Sequence, residues 1–282
     1  MNKFTKVWFL IGILIISTHL YPQTLKKVLI IHSSPSFTLQ VNGNYNQGMG
    51  QLAGTYNADF QSDQFVLGRN FGATKGYGFD VISKIKLDEI GHFRFLTSFF
   101  YNRMGSYLFG NKTTIADKGF SKFNVFSFGF GIENNFTPNH KVKVYVGFQP
   151  LFSMINGNVT LSAYQYNSVG ELTYLKTVNG ADSTYSVHIK NGFRIGAVLT
   201  GGMEYMLNES FGLNIGFNFI DANLLLKSAK DSGDPANINL IDDESSSLTQ
   251  YAGKKNFVIL NLTAGISFYW GNPEKRYIIS QK

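Results

Sequence analysis

From Phe193 to Leu207 the chain reads FRIGAVLTGGMEYML, and its alternate positions differ in kind. Phe193, Ile195, Ala197, Leu199, Gly201, Met203, Tyr205 and Leu207 carry no charge, while the intervening register holds Arg194 and Glu204. A period of two is the signature of a β-strand whose faces meet different surroundings. The stretch is also longer than the usual strand of about 5–6 residues.

The same alternation recurs. Phe37, Leu39 and Val41 oppose Ser36, Thr38, Gln40 and Asn42. Tyr77, Phe79, Val81, Ile85 and Leu87 oppose Asp80, Lys84 and Lys86; Phe93, Phe95, Phe99 and Tyr101 oppose His92, Arg94, Ser98 and Asn102. Phe126, Phe128, Phe130 and Ile132 oppose Ser127, Gly129, Gly131 and Glu133; Val142, Val144, Val146 and Phe148 oppose Lys143, Tyr145, Gly147 and Gln149. Phe211 to Phe219 and Val258 to Trp270 complete the set, giving about eight strands. The apolar faces contain no charged residue. The opposite faces collect Asp80, Lys84, Lys86, Arg94, Glu133, Lys143, Arg194 and Glu204, with many glycines.

The connections alternate in length. Asp88–His92, Asn134–His140 and Asn208–Ser210 read as tight turns. Tyr45–Thr74, Arg103–Lys122, Ser153–Asn191 and Asp221–Lys255 read as long links, the third holding strand-like pieces, NVTLSAYQYN, ELTYLKTV and STYSVHIK, expected to extend the barrel hairpins. Short turns at one end and long loops at the other is how membrane-spanning barrels are built. In hydrocarbon every backbone donor and acceptor must be paired internally, so a sheet has to close on itself, and a tilted strand needs about 9–11 residues to cross. A secreted β-sandwich or a lipocalin-like barrel shows the same alternation with the apolar face inward. Three features favour the membrane: small residues on the polar face, strand length, and aromatics near strand ends on the apolar face (Tyr77, Tyr101, Phe148, Tyr205, Phe211, Trp270).

The N-terminus adds a compartment. Lys3 and Lys6 precede the apolar run Val7–Ile16 and then STHLYPQ, the layout of a secretory signal peptide spanning residues 1–23. The run is too short for a spanning helix, and no second long apolar run exists, which excludes a helical membrane protein. Residues 24–35 are expected as a periplasmic lead, 36–270 as the barrel and 271–282 as a periplasmic tail. The flanking segments KKVLIIH and KRYIIS either add strands, to ten, or pair with each other. There is no cysteine, so an exported chain must hold itself together by backbone pairing and burial. The formal net charge is +7 without any basic run, which gives no footing for nucleic-acid binding.

These features together resemble the small outer-membrane barrels of the OmpA/OmpX and opacity-protein type, as found in Bacteroidetes- and Chlorobi-like bacteria. The last strand adds a match: Thr263, Gly265, Phe268 and Trp270 follow the pattern read by the barrel-assembly machinery, although twelve residues, GNPEKRYIISQK, follow it here. The resemblance implies an all-β, closed antiparallel transmembrane barrel in the bacterial outer membrane. It implies contact with outer-membrane lipid and lipopolysaccharide, delivery by the assembly machinery, and outer loops open to an extracellular ligand. It carries no active-site motif.

Candidate chemistry is sparse. Asp80, Lys84, Arg94, Glu133, Lys143, Arg194 and Glu204 are expected to form an opposite-charge network inside the barrel, with the acids paired to the bases, because unpaired ions in a dry lumen are costly. The same charges would line a narrow path in the channel alternative. A hydrolase or acyltransferase alternative rests on His188 with Ser186, Ser183 and Asp182, a grouping that sequence proximity alone does not make catalytic. No metal-ligand spacing and no cofactor motif is present.

Overall fold

The computed structural model describes residues 28–31, 34–50, 52–53, 72–111, 115–169, 171–174, 177–178, 181–182, 184–225, 237–238, 256–271 and 275–278; within 106–119 and 175–192, and at a few other positions, the backbone alone is described. The segment expected as a signal peptide, residues 1–23, lies outside the described residues.

Eight long strands make the main unit: β1 (Phe37–Met49), β2 (Lys75–Lys86), β3 (Phe93–Asn111), β4 (Ile115–Asn135), β5 (Val142–Tyr166), β6 (Thr184–Met206), β7 (Phe211–Leu225) and β8 (Val258–Trp270). Each pairs antiparallel with the next in sequence. The ring closes where β8 pairs β1, from Val258 opposite Met49 to Trp270 opposite Phe37. The fold is therefore a closed, up-and-down antiparallel barrel. Closure removes the exposed strand edges that an open sheet would present. Among the described residues there is no helix.

The alternation survives in three dimensions. β1 runs inward and outward residue by residue, with Thr38, Gln40, Asn42, Asn44 and Asn46 buried and Val41, Tyr45 and Met49 exposed. The exposed side is the apolar one, the reverse of a soluble barrel or sandwich, whose apolar face would be covered.

Tight turns at one end follow from local hydrogen bonding. The carboxylate of Asp88 accepts from the backbone N–H groups of Gly91 (3.0 Å), His92 (3.1 Å) and Phe93 (2.7 Å). Gly91 stands at φ 90°, and a Cβ there would run into Ser34. The Asn208 side chain likewise accepts from Ser210 (2.7 Å) and Phe211 (2.9 Å). Ser34, ahead of β1, is buried against this end: its hydroxyl receives the Asn135 amide at 3.0 Å and donates toward the carbonyls of Gly91 and Pro138, both at 3.4 Å.

At the other end the strands are uneven. β1, β2, β7 and β8 span 13, 12, 15 and 13 residues, whereas β3, β4, β5 and β6 span 19, 21, 25 and 23. Pairing of β5 with β6 continues up to Ser162 opposite Thr184. Two expected links, Arg103–Lys122 and Ser153–Asn191, are thus mostly strand. Within Ser153–Asn191 the strand-like pieces expected to extend the hairpins carry the signal: Asn158, Thr160 and Ser162 alternate in sequence with Val159, Leu161 and Ala163.

Val28–Ile31 and Lys275–Ile278 form a separate two-stranded antiparallel ladder, with Val28 opposite Ile278 and Ile31 opposite Lys275. Of the two fates open to these segments, they pair with each other, and the barrel keeps eight strands.

Candidate functional site

The barrel interior is layered. Next to the short turns lies an ionic cluster built from four strands. Lys84 on β2 places its Nζ 2.8 Å from Glu133 on β4 and 3.7 Å from Glu204 on β6. Arg94 on β3 pairs with Glu133 and stands 3.6 Å from Glu204. All four side chains are essentially fully buried. The ring of Tyr145 on β5 lies beneath the Lys84 ammonium, 3.6 Å from centroid to nitrogen, and the Gln40 amide donates to Glu204 at 2.8 Å. Two cations facing two anions keep the cluster neutral, which is what so dry a site requires. The ring of Tyr145 fits because Gly202 faces it; a Cβ at Gly202 would stand 2.8 Å from the tyrosine oxygen.

Above this the lumen is lined by amides and hydroxyls. Asp80 is held by two amides, Asn42 at 2.5 Å and Asn218 at 3.2 Å, where the sequence reading places a cation. Asn261 donates to Asn102 at 3.0 Å, and Ser98 to Gln149 at 2.6 Å. Toward the long-strand end an apolar cluster fills the interior. It includes Phe100, Met104, Phe123, Leu151, Val198 and Ile259, with Leu52, Ala73 and Phe257 folded in from the segments between strands. Phe123 and Phe257 meet edge to face, centroids 5.5 Å apart.

Of the seven charged residues, the structure brings Lys84, Arg94, Glu133 and Glu204 together. Lys143 directs its ammonium to the carbonyls of Pro138 (2.7 Å) and His140 (3.1 Å), tying a turn to the barrel floor. Arg194 lies higher on β6, opposite Ser153, and donates to the Phe193 carbonyl at 3.0 Å. Tyr145, Gln40 and the paired amides complete the network, and only their inward register hinted at it. The apolar cluster was also missed, though its signal was present: Phe100, Met104, Phe123, Val125, Leu151 and Ile155 sit in the inward register of their strands.

On β8, Thr263 points inward and Gly265 lies against the Val41 carbonyl, where a side chain would collide. Phe268 and Trp270 point outward, and the Trp270 ring lies 5.3 Å from that of Phe37. Of the proposed interfacial aromatics, Tyr77, Phe148, Tyr205, Phe211 and Trp270 face outward and exposed, and Tyr101 is half-buried, its ring against those of Phe79 and Phe126. Around them an apolar belt runs round the barrel, with Ile132, Phe148, Ile215 and Leu262 each more than half exposed.

The backbone of β6 carries Ser186 opposite Thr160 and His188 opposite Asn158. Ser183 and the side chains of Asp182, Ser186 and His188 lie outside the described residues. Among the described residues no three His, Cys, Asp or Glu side chains gather as a metal site would require.

This geometry defines a class: an eight-stranded antiparallel barrel that is apolar outside and polar and filled inside, the arrangement suited to hydrocarbon. Solved structures similar to the chain include Neisserial surface protein A (TM-score 0.44, 14% identity, covering 83% of this chain and 97% of that one). They also include OprG of Pseudomonas aeruginosa (0.39, 9%, 86% and 99%) and Ail, the attachment invasion locus protein of Yersinia pestis, in complex with the heparin analogue sucrose octasulfate (0.33, 12%, 86% and 99%). No protein-family model and no curated protein matches the chain.

Proposed function

We propose that the chain is an integral outer-membrane protein without catalytic activity, whose barrel is a filled anchor and whose β3–β6 extension acts outside the membrane in a surface or binding role. The observation that carries this is the packing of the lumen. A water-filled pore leaves its lining accessible, but Asn46, Phe100, Asn102, Gln149, Glu204, Ile259 and Asn261 are all fully buried. Eight strands leave an interior just wide enough for side chains. The short turns then face the periplasm and the extension faces outward.

Planar-bilayer recording on the refolded chain is the test. The expected result is no stepwise conductance in a preparation that shifts on a gel when boiled, as closed barrels do. Reproducible steps abolished in Arg94→Gln or Glu204→Gln would replace the anchor with a channel. An esterase activity lost in His188→Ala would replace it with an enzyme.

A further inference from the structure

On the outer wall, where the short strands end and the long ones continue, lies a groove of about 820 Å³. Its walls include Tyr45 on β1, Lys75 and Tyr77 on β2, Arg103 on β3, and Phe120 and Lys122 on β4. The strand register explains its construction. Lys75, Gly105 and Lys122 stand side by side in one outward row, and the missing side chain of Gly105 leaves a slot between the two lysines. One row nearer the short turns come Tyr45, Tyr77 and Arg103, with the guanidinium 5.8 Å from the Tyr77 ring centre. The next row is aromatic: Phe79, Tyr101 and Phe126, with neighbouring centroids 5.6 and 4.9 Å apart.

Three cations therefore cap an aromatic wall, and no carboxylate lines the groove. Nothing in the packing of the barrel needs them there, since all three point away from the lumen. An occupant must be anionic where it meets Lys75, Arg103 and Lys122, and apolar where it runs down past Tyr101 and Phe126. Its chains must share the wall with the apolar belt. We propose that this groove binds the phosphate-bearing headgroup of a lipid in the leaflet on the long-strand side. Arginine and lysine match phosphate oxygens by charge-assisted hydrogen bonds, and the tyrosines suit the depth at which headgroup meets chain. This inference rests on the membrane-spanning reading above.

The test is native mass spectrometry of the detergent-folded protein with a bisphosphorylated lipid A, its dephosphorylated counterpart, and inorganic phosphate as competitor. Wild type is expected to retain one phosphorylated lipid. The variant K75Q/R103Q/K122Q should retain it about tenfold less or worse. The single variant Arg103→Gln should show a partial loss. Lys141→Gln, which removes a cation 5.0 Å from the Tyr205 ring at the opposite rim, should bind as wild type does. Equal retention by the triple variant, equal retention of the dephosphorylated lipid, or full displacement by inorganic phosphate would each overturn the proposal. A gel run with and without boiling separates the two readings: a barrel that shifts but holds no lipid sinks the groove alone, and one that never shifts sinks the membrane reading.

Discussion

Glu133 holds Lys84 and Arg94 at once, from a position with no access to water. Removing its charge leaves two buried cations facing only Glu204. Breaking a buried pair of this kind costs about 3–5 kcal/mol. Glu133→Gln should lower stability by that order in urea titrations of the protein folded into lipid vesicles. A variant as stable as wild type would mean the cluster braces nothing. Asp88 offers a gentler test at the turn. Partial burial disfavours its charged form, but the three backbone N–H bonds outweigh that and hold its carboxyl below the usual range. A depressed folded-state pKa contributes stability that is present above the unfolded value of about 3.9 and is lost as pH falls through the folded one. Asp88→Ala should therefore flatten the acid side of the stability profile between about pH 5 and pH 3. An unchanged profile would show that the turn holds without this carboxylate.

The strands are two-faced elements, and each face answers to its own surroundings. Ile215 on β7 lies in the outward row between Met203 on β6 and Ala264 on β8. Arginine at this depth is expected to cost about 2–4 kcal/mol in a bilayer, falling toward zero near the interfaces. Ile215→Arg should thus be strongly destabilising in vesicles, and the same substitution should be almost neutral if water, not lipid, meets this face. The glycines on the inward face work in the other direction. Gly202 gives up a side chain so that Tyr145 can lie across the ionic cluster, which lets a bulky ring share a narrow lumen with four charges. On the proposed membrane-spanning reading, β3 to β6 are longer than a crossing requires, since about 9–11 residues suffice.

At the scale of the whole barrel the layers act together. Ionic cluster, amide tier and apolar cluster leave no aqueous column along the axis among the described residues, so the molecule is expected to anchor and not to conduct. What it offers to other molecules is then its outside: the belt, the rim groove and the raised side of the wall. The rim groove exists only because the wall changes height there. β2 ends at Lys75 while β3 continues to Asn111, and a barrel of uniform height would carry the same cations without a step to gather them.

The sequence by itself determined the alternation, a count of about eight strands with ten still open, the tight turns and which charges face inward. Each of these depends on neighbours in the chain: side-chain direction has a period of two, and a turn is made by residues a few positions apart. It also held the inward apolar residues, from Leu96 to Ile259, though they stood out less than the charges beside them. Only the tertiary structure decided which inward charges meet. Strand tilt and stagger set who shares a level, so Lys84 and Arg94 meet Glu133 and Glu204, while Asp80 rises to the amides of Asn42 and Asn218 and Arg194 stands apart. The same stagger set Lys75, Arg103 and Lys122, which are distant in the chain, beside one another on the outer wall.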